Sequence, residues 1–254
     1  MKALITGASS GLGRDFAKIL NGRGYDLVLV ARDGERLANL RGELEKANPS
    51  TRIQIITTDL SVAENCKKLA DCAKDIDLLI NNAGFGDCGR FTQTDLDKEL
   101  AMISTNITAY HILMKSCLKE MKGRGRGRIL NVASIAGFTA GPLMATYYAT
   151  KAYVVRLSEA VREELRREKS KVKISILCPG PVATDFSRRA NVKFALKEAD
   201  SYAVAKYAVK KMNKGKFYIV PTFGMKLLRF GAKLAPSGFV GRVVYGIQKR
   251  KIER

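Results

Sequence analysis

Tyr147 and Tyr148 precede Lys151 by four and three residues in the stretch ATYYATKAY, residues 145–153. On an α-helix both separations put side chains on adjoining ground, so either phenol can meet the ammonium. A free tyrosine titrates at about 10, too high to exchange protons readily near neutrality. A lysine cation beside it favours the phenolate and lowers that value, which suits a general acid or base. Helix geometry alone does not choose between the two tyrosines.

A second group with chemical potential is the turn TGASSGLG, residues 6–13. Gly7, Gly11 and Gly13 permit a tight turn and close backbone approach, and Ser9, Ser10 and Leu12 lie between them. Placed between a strand and a helix, such a turn offers helix N-terminal N–H groups to a pyrophosphate. Arg32 follows 19 residues after Gly13. An arginine there suits the 2′-phosphate of NADP, whereas an acidic residue suits the ribose 2′-hydroxyl of NAD. Asp33, next in the chain, keeps the second alternative open, with NADP(H) favoured over NAD(H).

These groups must be held by a scaffold, and the hydrophobic pattern supplies one. Short apolar runs at 2–6, 26–31, 53–57, 76–80, 128–132, 172–177 and 216–220 alternate with helix-length amphipathic stretches. One of these stretches runs for about 20 residues from Tyr147, with Ala152, Val155, Leu157, Ala160, Val161 and Leu165 on one face. Continuous apolar strands alternating with helices predict an α/β fold with a doubly wound, Rossmann-type parallel sheet. Its ligand site lies at the carboxyl ends of the strands. No linker composition divides the chain, so residues 1–254 read as a single domain.

The glycine turn, Asn81-Asn82-Ala83-Gly84 and a Tyr-x-x-x-Lys pair together resemble the short-chain dehydrogenase/reductase family. Further matches follow in the family's order over residues 2–220. Asp59-Leu60 resembles the turn that holds the adenine, and Asn106 the helix asparagine. Ser134 resembles the catalytic serine, and Pro179-Gly180-Pro181-Val182-Ala183-Thr184 the loop that closes on nicotinamide. The resemblance implies a hydride-transferring oxidoreductase acting on a carbonyl or alcohol. Its spacing selects Tyr147, 13 residues after Ser134, as proton donor, and leaves Tyr148 as a packing or cofactor-side neighbour. It implies that Lys151 also grips the nicotinamide ribose, that Ser134 hydrogen-bonds the reacting oxygen and that Asn106 orders water toward Lys151. By the same resemblance Asn82, Ala83, Gly84, Pro179, Val182 and Thr184 join the cofactor-binding set, and a homodimer or homotetramer through the helices carrying Asn106 and Tyr147 is expected. The competing class is a non-enzymatic dinucleotide-binding sensor or scaffold; retention of Ser134, Tyr147 and Lys151 argues against it.

The remaining sequence bears on substrate and surroundings. Phe85, Ile135, Phe138, Leu143, Met144, Phe186, Phe194 and Leu196 are the expected walls for a lipophilic, steroid-like or acyl carbonyl compound, with residues 185–200 as a lid. Five cysteines without metal or framework spacing favour the reducing cytoplasm, and one histidine, His111, disfavours a zinc site or a Ser-His-Asp triad. Forty-five basic against 24 acidic residues give a net charge of +21. Residues 199–254 hold 13 basic and 2 acidic residues, leaving +11 there. The run KGRGRGR at 122–128 reads as a solvated turn with no nucleic acid expected, since it lacks interleaved aromatics. Residues 221–254 mix apolar and basic side chains. They read first as an extension packed on the substrate mouth or a subunit contact, and peripheral membrane contact is the less favoured alternative.

Overall fold

The computed structural model describes residues 1–71, 74–190 and 198–252. Strands β1 (Lys2–Thr6), β2 (Asp26–Ala31), β3 (Ile53–Thr57), β4 (Leu78–Asn81), β5 (Arg128–Val132), β6 (Lys173–Leu177) and β7 (Tyr218–Ile219) form one sheet in the order β3-β2-β1-β4-β5-β6-β7. Every neighbouring pair is parallel. The order reverses between β1 and β4, and a doubly wound sheet opens a crevice at such a point.

The strands are apolar throughout because both faces are covered. Leu4, Val28, Leu79, Ile129 and Ile176 belong to one core layer, and Ile5, Leu29, Ile80, Leu130 and Leu177 to the other. Residues adjacent in each strand thus go to opposite layers, as the two-residue period of a strand requires. Helices α1 (Gly11–Asn21) and α2 (Gly34–Ala47) pack with α8 (Ser201–Asn213) on one face. On the other lie α3 (Ala63–Asp71), α5 (Ala109–Gly123) and α6 (Ala145–Arg167).

Helix α4 (Leu96–Ile103) runs into α5 through a π-helical turn, Ser104–Thr108, which carries the buried Asn106. Such turns insert one extra residue per turn and recur at functional sites. The chain continues through the short α7 (Phe186–Arg189) to α8, β7, α9 (Phe223–Leu234) and α10 (Ser237–Ile252). No described helix is long and apolar enough to cross a membrane.

The basic run at 122–128 is a turn, with Gly125 at φ +69° and Gly127 at φ +156°. Its arginines tie neighbouring elements together. Arg124 donates to the carbonyls of Lys74 and Ile76 at 2.9 and 2.5 Å, and Arg128 to that of Met212 at 3.1 Å.

Candidate active site

The glycine turn leaves β1 and enters α1 in a form that needs its glycines. Gly7 has φ +65°, and a Cβ there would stand 3.0 Å from the Ala83 Cα. At Gly13 a Cβ would fall 2.1 Å from the Gly7 carbonyl oxygen, so any side chain would push the turn off the helix. The turn is pinned from β4: the Asn82 side-chain amide donates to the Thr6 carbonyl at 2.8 Å, and the Thr6 hydroxyl accepts from the N–H groups of Asn82 and Ala83, both at 2.9 Å. Thr6 had no role assigned from sequence; its motif position does not reveal that it joins two strands.

The N-terminus of α1 is unlike its neighbours. Asp33, Asp95 and Asp200 cap α2, α4 and α8 by accepting from Arg36, Lys98 and Ala203 N–H. Ser10, at the start of α1, makes no side-chain cap bond, and the first turn holds no acid. The orphan N–H groups and the positive end of the helix dipole therefore face the crevice, where a phosphate would satisfy them.

A cleft of about 690 Å³ runs from this turn across the ends of the strands. Along it lie Gly7, Ser9, Ser10, Gly11 and Leu12, then Arg32, Asp59 and Leu60, then Asn82, Ala83 and Gly84. Farther on come Ser134, Tyr147 and Lys151, facing Pro179, Val182 and Thr184. Of the residues singled out from sequence, Gly13 and Asn106 stand behind this lining. The long apolar-sided cleft, the side-chain-free cradle and the open helix terminus fit a dinucleotide.

At the far end three groups converge. β5 delivers Ser134 at its carboxyl end, and the first turns of α6 deliver Tyr147 and Lys151. The Ser134 hydroxyl accepts from Ala136 N–H at 3.1 Å and donates to the Pro179 carbonyl at 3.5 Å, and it lies near enough to the Tyr147 phenol to favour its charged form. Lys151 Nζ donates to the Val132 carbonyl at 3.1 Å and sits 5.8 Å from the Tyr147 ring centroid and 5.4 Å from that of Tyr110. Tyr147 and Lys151 are both buried. Burial pushes the Tyr147 phenol well above its ordinary value, the nearby Ser134 hydroxyl opposing it more weakly. Burial also pushes Lys151 down to about 8. The lowering of Tyr147 expected from Lys151 is thus outweighed, because removal from water disfavours both charged forms.

The neighbours of Tyr147 are sorted by contact. Tyr148 packs against Gly141, where a Cβ would meet its ring at 2.1 Å, and its hydroxyl accepts from Gln248 Nε2 at 2.6 Å. Tyr153 pairs with His111 at 2.7 Å, away from the cleft. The Asn106 side chain is committed to the loop after β4. Its Oδ1 accepts from Phe85 N–H at 3.1 Å, and its Nδ2 donates to the Phe85 carbonyl and the Thr150 hydroxyl at 2.9 and 3.0 Å. It holds the Gly84–Phe85 backbone beside Lys151, since a Cβ on Gly84 would stand 2.9 Å from Asn106 Oδ1 and 3.4 Å from Lys151 Nζ.

Of the expected substrate walls, Phe85, Ile135, Met144 and Phe186 line the cleft. Phe138 does not; it packs beneath the Arg229 guanidinium at 4.8 Å and against Tyr218. Leu143 takes φ +67° in a turn whose carbonyl accepts from Gly89, and lies outside the lining. Phe194 and Leu196 lie outside the described residues, as does much of the expected lid. Sequence reasoning missed Met225, Leu228, Val244, Ile247 and Gln248, which reach the cleft from α9 and α10. Gln248 is buried with its Oε1 unbonded. No local signal marks it, for its partner Tyr148 lies 100 residues away.

The short chain dehydrogenase family description matches residues 1–195. The chain belongs to that family. An uncharacterised oxidoreductase of Mycobacterium tuberculosis is 33% identical over 194 residues, 74% of this chain and 76% of the relative. A short-chain dehydrogenase from Sphingobium yanoikuyae, solved with NADPH, superposes with a TM-score of 0.82 at 29% identity, covering 87% of this chain and 88% of that one. A family member from Burkholderia phymatum, solved with NAD, gives 0.81 at 26%, covering 90% and 91%. The protein is accordingly an NAD(P)-dependent short-chain dehydrogenase/reductase, and its seven-stranded parallel sheet is the family's fold.

Proposed function

We propose that this family member reduces a lipophilic ketone or aldehyde, or oxidises the corresponding alcohol, with NADP(H) preferred over NAD(H). The observation that carries the reading is the meeting of the Ser134 hydroxyl, the Tyr147 phenol and the Lys151 ammonium where the dinucleotide-sized cleft becomes apolar. A bound nicotinamide dinucleotide supplies or accepts the hydride. The protein's own part is proton and charge management. Ser134 hydrogen-bonds the substrate oxygen as negative charge grows there. Tyr147 hands its proton to that oxygen, and its raised pKa keeps it in the acid form that reduction needs. Lys151 steadies the phenolate that results and holds the nicotinamide ribose. Asn106 positions the Gly84–Phe85 loop between them, and its π-helical turn suits the water-ordering role expected from the family.

Support for NADP(H) comes from how Asp33 is used. Its carboxylate caps α2 through Arg36 N–H at 3.0 Å and pairs with the Arg36 guanidinium at 3.3 Å, while Arg36 also reaches Asp185 at 3.1 Å. Asp33 lines the cleft beside Arg32, but an aspartate so engaged leaves Arg32 to meet the 2′-phosphate. Arg14 and Arg36 line an adjoining cavity and add positive charge on that side.

The substrate end is walled by Phe85, Ile135, Met144 and Phe186, and helices α9 and α10 cap it through Met225, Leu228, Val244, Ile247 and Gln248. An apolar carbonyl compound fits this wall. Leu96, Leu100 and Ile103 are exposed at i, i+4 and i+7 on α4, which supports assembly as a homodimer or homotetramer through the α4–α5 and α6 helices. Cys66, Cys117 and Cys178 are buried thiols pushed up to between about 11 and 12 by burial, in keeping with a protein of the reducing cytoplasm.

NADPH and NADH consumption over aliphatic, aromatic, steroid and acyl-thioester ketones tests the reading. The expected result is NADPH oxidation that is fastest on bulky apolar ketones; tight NADPH binding with no turnover on any of them points instead to a sensor. The pH profile gives a second check. Lys151 keeps its charge below about 8 and loses it above. Reductive kcat/KM, which reports the free enzyme, should be level below that pH and fall about tenfold per unit beyond it. A flat profile to pH 10 would remove Lys151 from the reaction.

A further inference from the structure

Helix α9 turns its apolar side outward. Phe223, Leu227, Phe230 and Leu234 are 79, 64, 64 and 71% exposed. Their spacing of i, i+4, i+7 and i+11 aligns them in one stripe. The opposite side does the packing: Met225 meets Gly180 and lines the cleft, and Arg229 lies over the Phe138 and Tyr218 rings. Helix α10 repeats the arrangement, with Phe239, Val243 and Ile247 exposed at i, i+4 and i+8 while Gln248 is buried behind them. A water-facing helix normally shows the reverse pattern, so this pair of stripes is built for a cover.

Charge selects the cover. Helices α9 and α10 contain seven lysines and arginines and no acidic residue. Lys226 and Arg242 are exposed at the flanks of the two stripes. A second copy seated on this face would set its seven cations against the same seven, whereas the α4–α5 and α6 helices carry charges of both signs. A membrane surface bearing anionic lipid offers hydrocarbon to the stripes and negative headgroups to the flanks.

We propose that α9 and α10 form a docking face for the surface of an anionic bilayer, placing the mouth of the reactive cleft against it. Leu228 and Ile247 are exposed and also line the cleft, so apolar surface continues from the face into the site. Docking stands on the helices alone; passage of a lipophilic carbonyl from bilayer to cleft rests on the reductase reading above.

The test is sedimentation of the full-length protein with phosphatidylcholine vesicles and with vesicles containing roughly 30% phosphatidylserine, at about 150 mM salt, where long-range attraction is screened. Binding is expected to the phosphatidylserine vesicles, at least about tenfold weaker for Leu227→Ser/Phe230→Ser, and weaker again in higher salt. The chain has no tryptophan, so Phe230→Trp provides a single fluorophore whose emission should shift to the blue on those vesicles. NADPH turnover of a water-soluble ketone should be unchanged in the double variant, because neither residue lines the cleft. No binding, equal binding by the variant, or a vesicle-free dimer that the same substitutions dissociate would each overturn the proposal. Absence of turnover in the unaltered protein would sink the reductase reading while leaving docking to be judged by the vesicles.

Discussion

Tyr147→Phe should lower kcat for carbonyl reduction by about 10²- to 10⁴-fold, the usual range for loss of a positioned general acid. The substitution removes one oxygen. The ring keeps its contacts with Tyr148 and Phe186, whose centroids lie 6.2 and 5.3 Å away, so the fold and dinucleotide affinity should be retained. Lost stability should stay near 1 kcal/mol, the typical net worth of one hydrogen bond. Tyr148→Phe makes the useful contrast. It leaves Gln248 Nε2 buried without its 2.6 Å acceptor, a cost of about 1–3 kcal/mol, yet should hold kcat within about tenfold. Measuring both variants by single-turnover reduction and by NADPH fluorescence separates the roles. Loss of turnover in Tyr148→Phe with activity kept in Tyr147→Phe would transfer the acid to the other tyrosine.

The second large effect concerns the cofactor. Arg32→Gln should raise KM for NADPH by about 10- to 100-fold, the worth of a charge-assisted arginine–phosphate contact of roughly 1.5–3 kcal/mol. KM for NADH should change little, since that molecule lacks the phosphate. The physical basis is the division of labour at the end of β2: both residues line the cleft, but Asp33 is engaged by the α2 N-terminus and by Arg36, which leaves Arg32 for the phosphate. Equal change in the two KM values would show that Arg32 does not read the phosphate.

Much of the site was legible because its parts are local. Each apolar run became a strand, for a buried parallel strand needs little more than a short continuous hydrophobic stretch bounded by turns. β4 and β7 begin two residues later than their runs suggested. Gly7 and Gly13 could be read because their need is steric and backbone-based, and the structure supplies the reason in the 2.1 Å approach to the Gly7 carbonyl. Tyr147 was separated from Tyr148 only through family spacing; helical geometry brings both near Lys151.

Other features were decided by contacts between distant segments. Phe138 looked like a pocket wall until α9 brought Arg229 over its ring. Gln248 could not be found from its surroundings, because its meaning lies in Tyr148 at the other end of a long separation. The titration of Tyr147 and Lys151 was misjudged from their proximity, since the loss of water around both groups outweighs their mutual attraction and only the folded chain determines that loss. Composition alone established that residues 221–254 are apolar and basic. Which side of each helix turns to the protein is a tertiary matter, set by the cleft edge that Met225, Val244 and Gln248 cover, and it is this choice that leaves Phe223, Leu227, Phe230 and Leu234 facing outward.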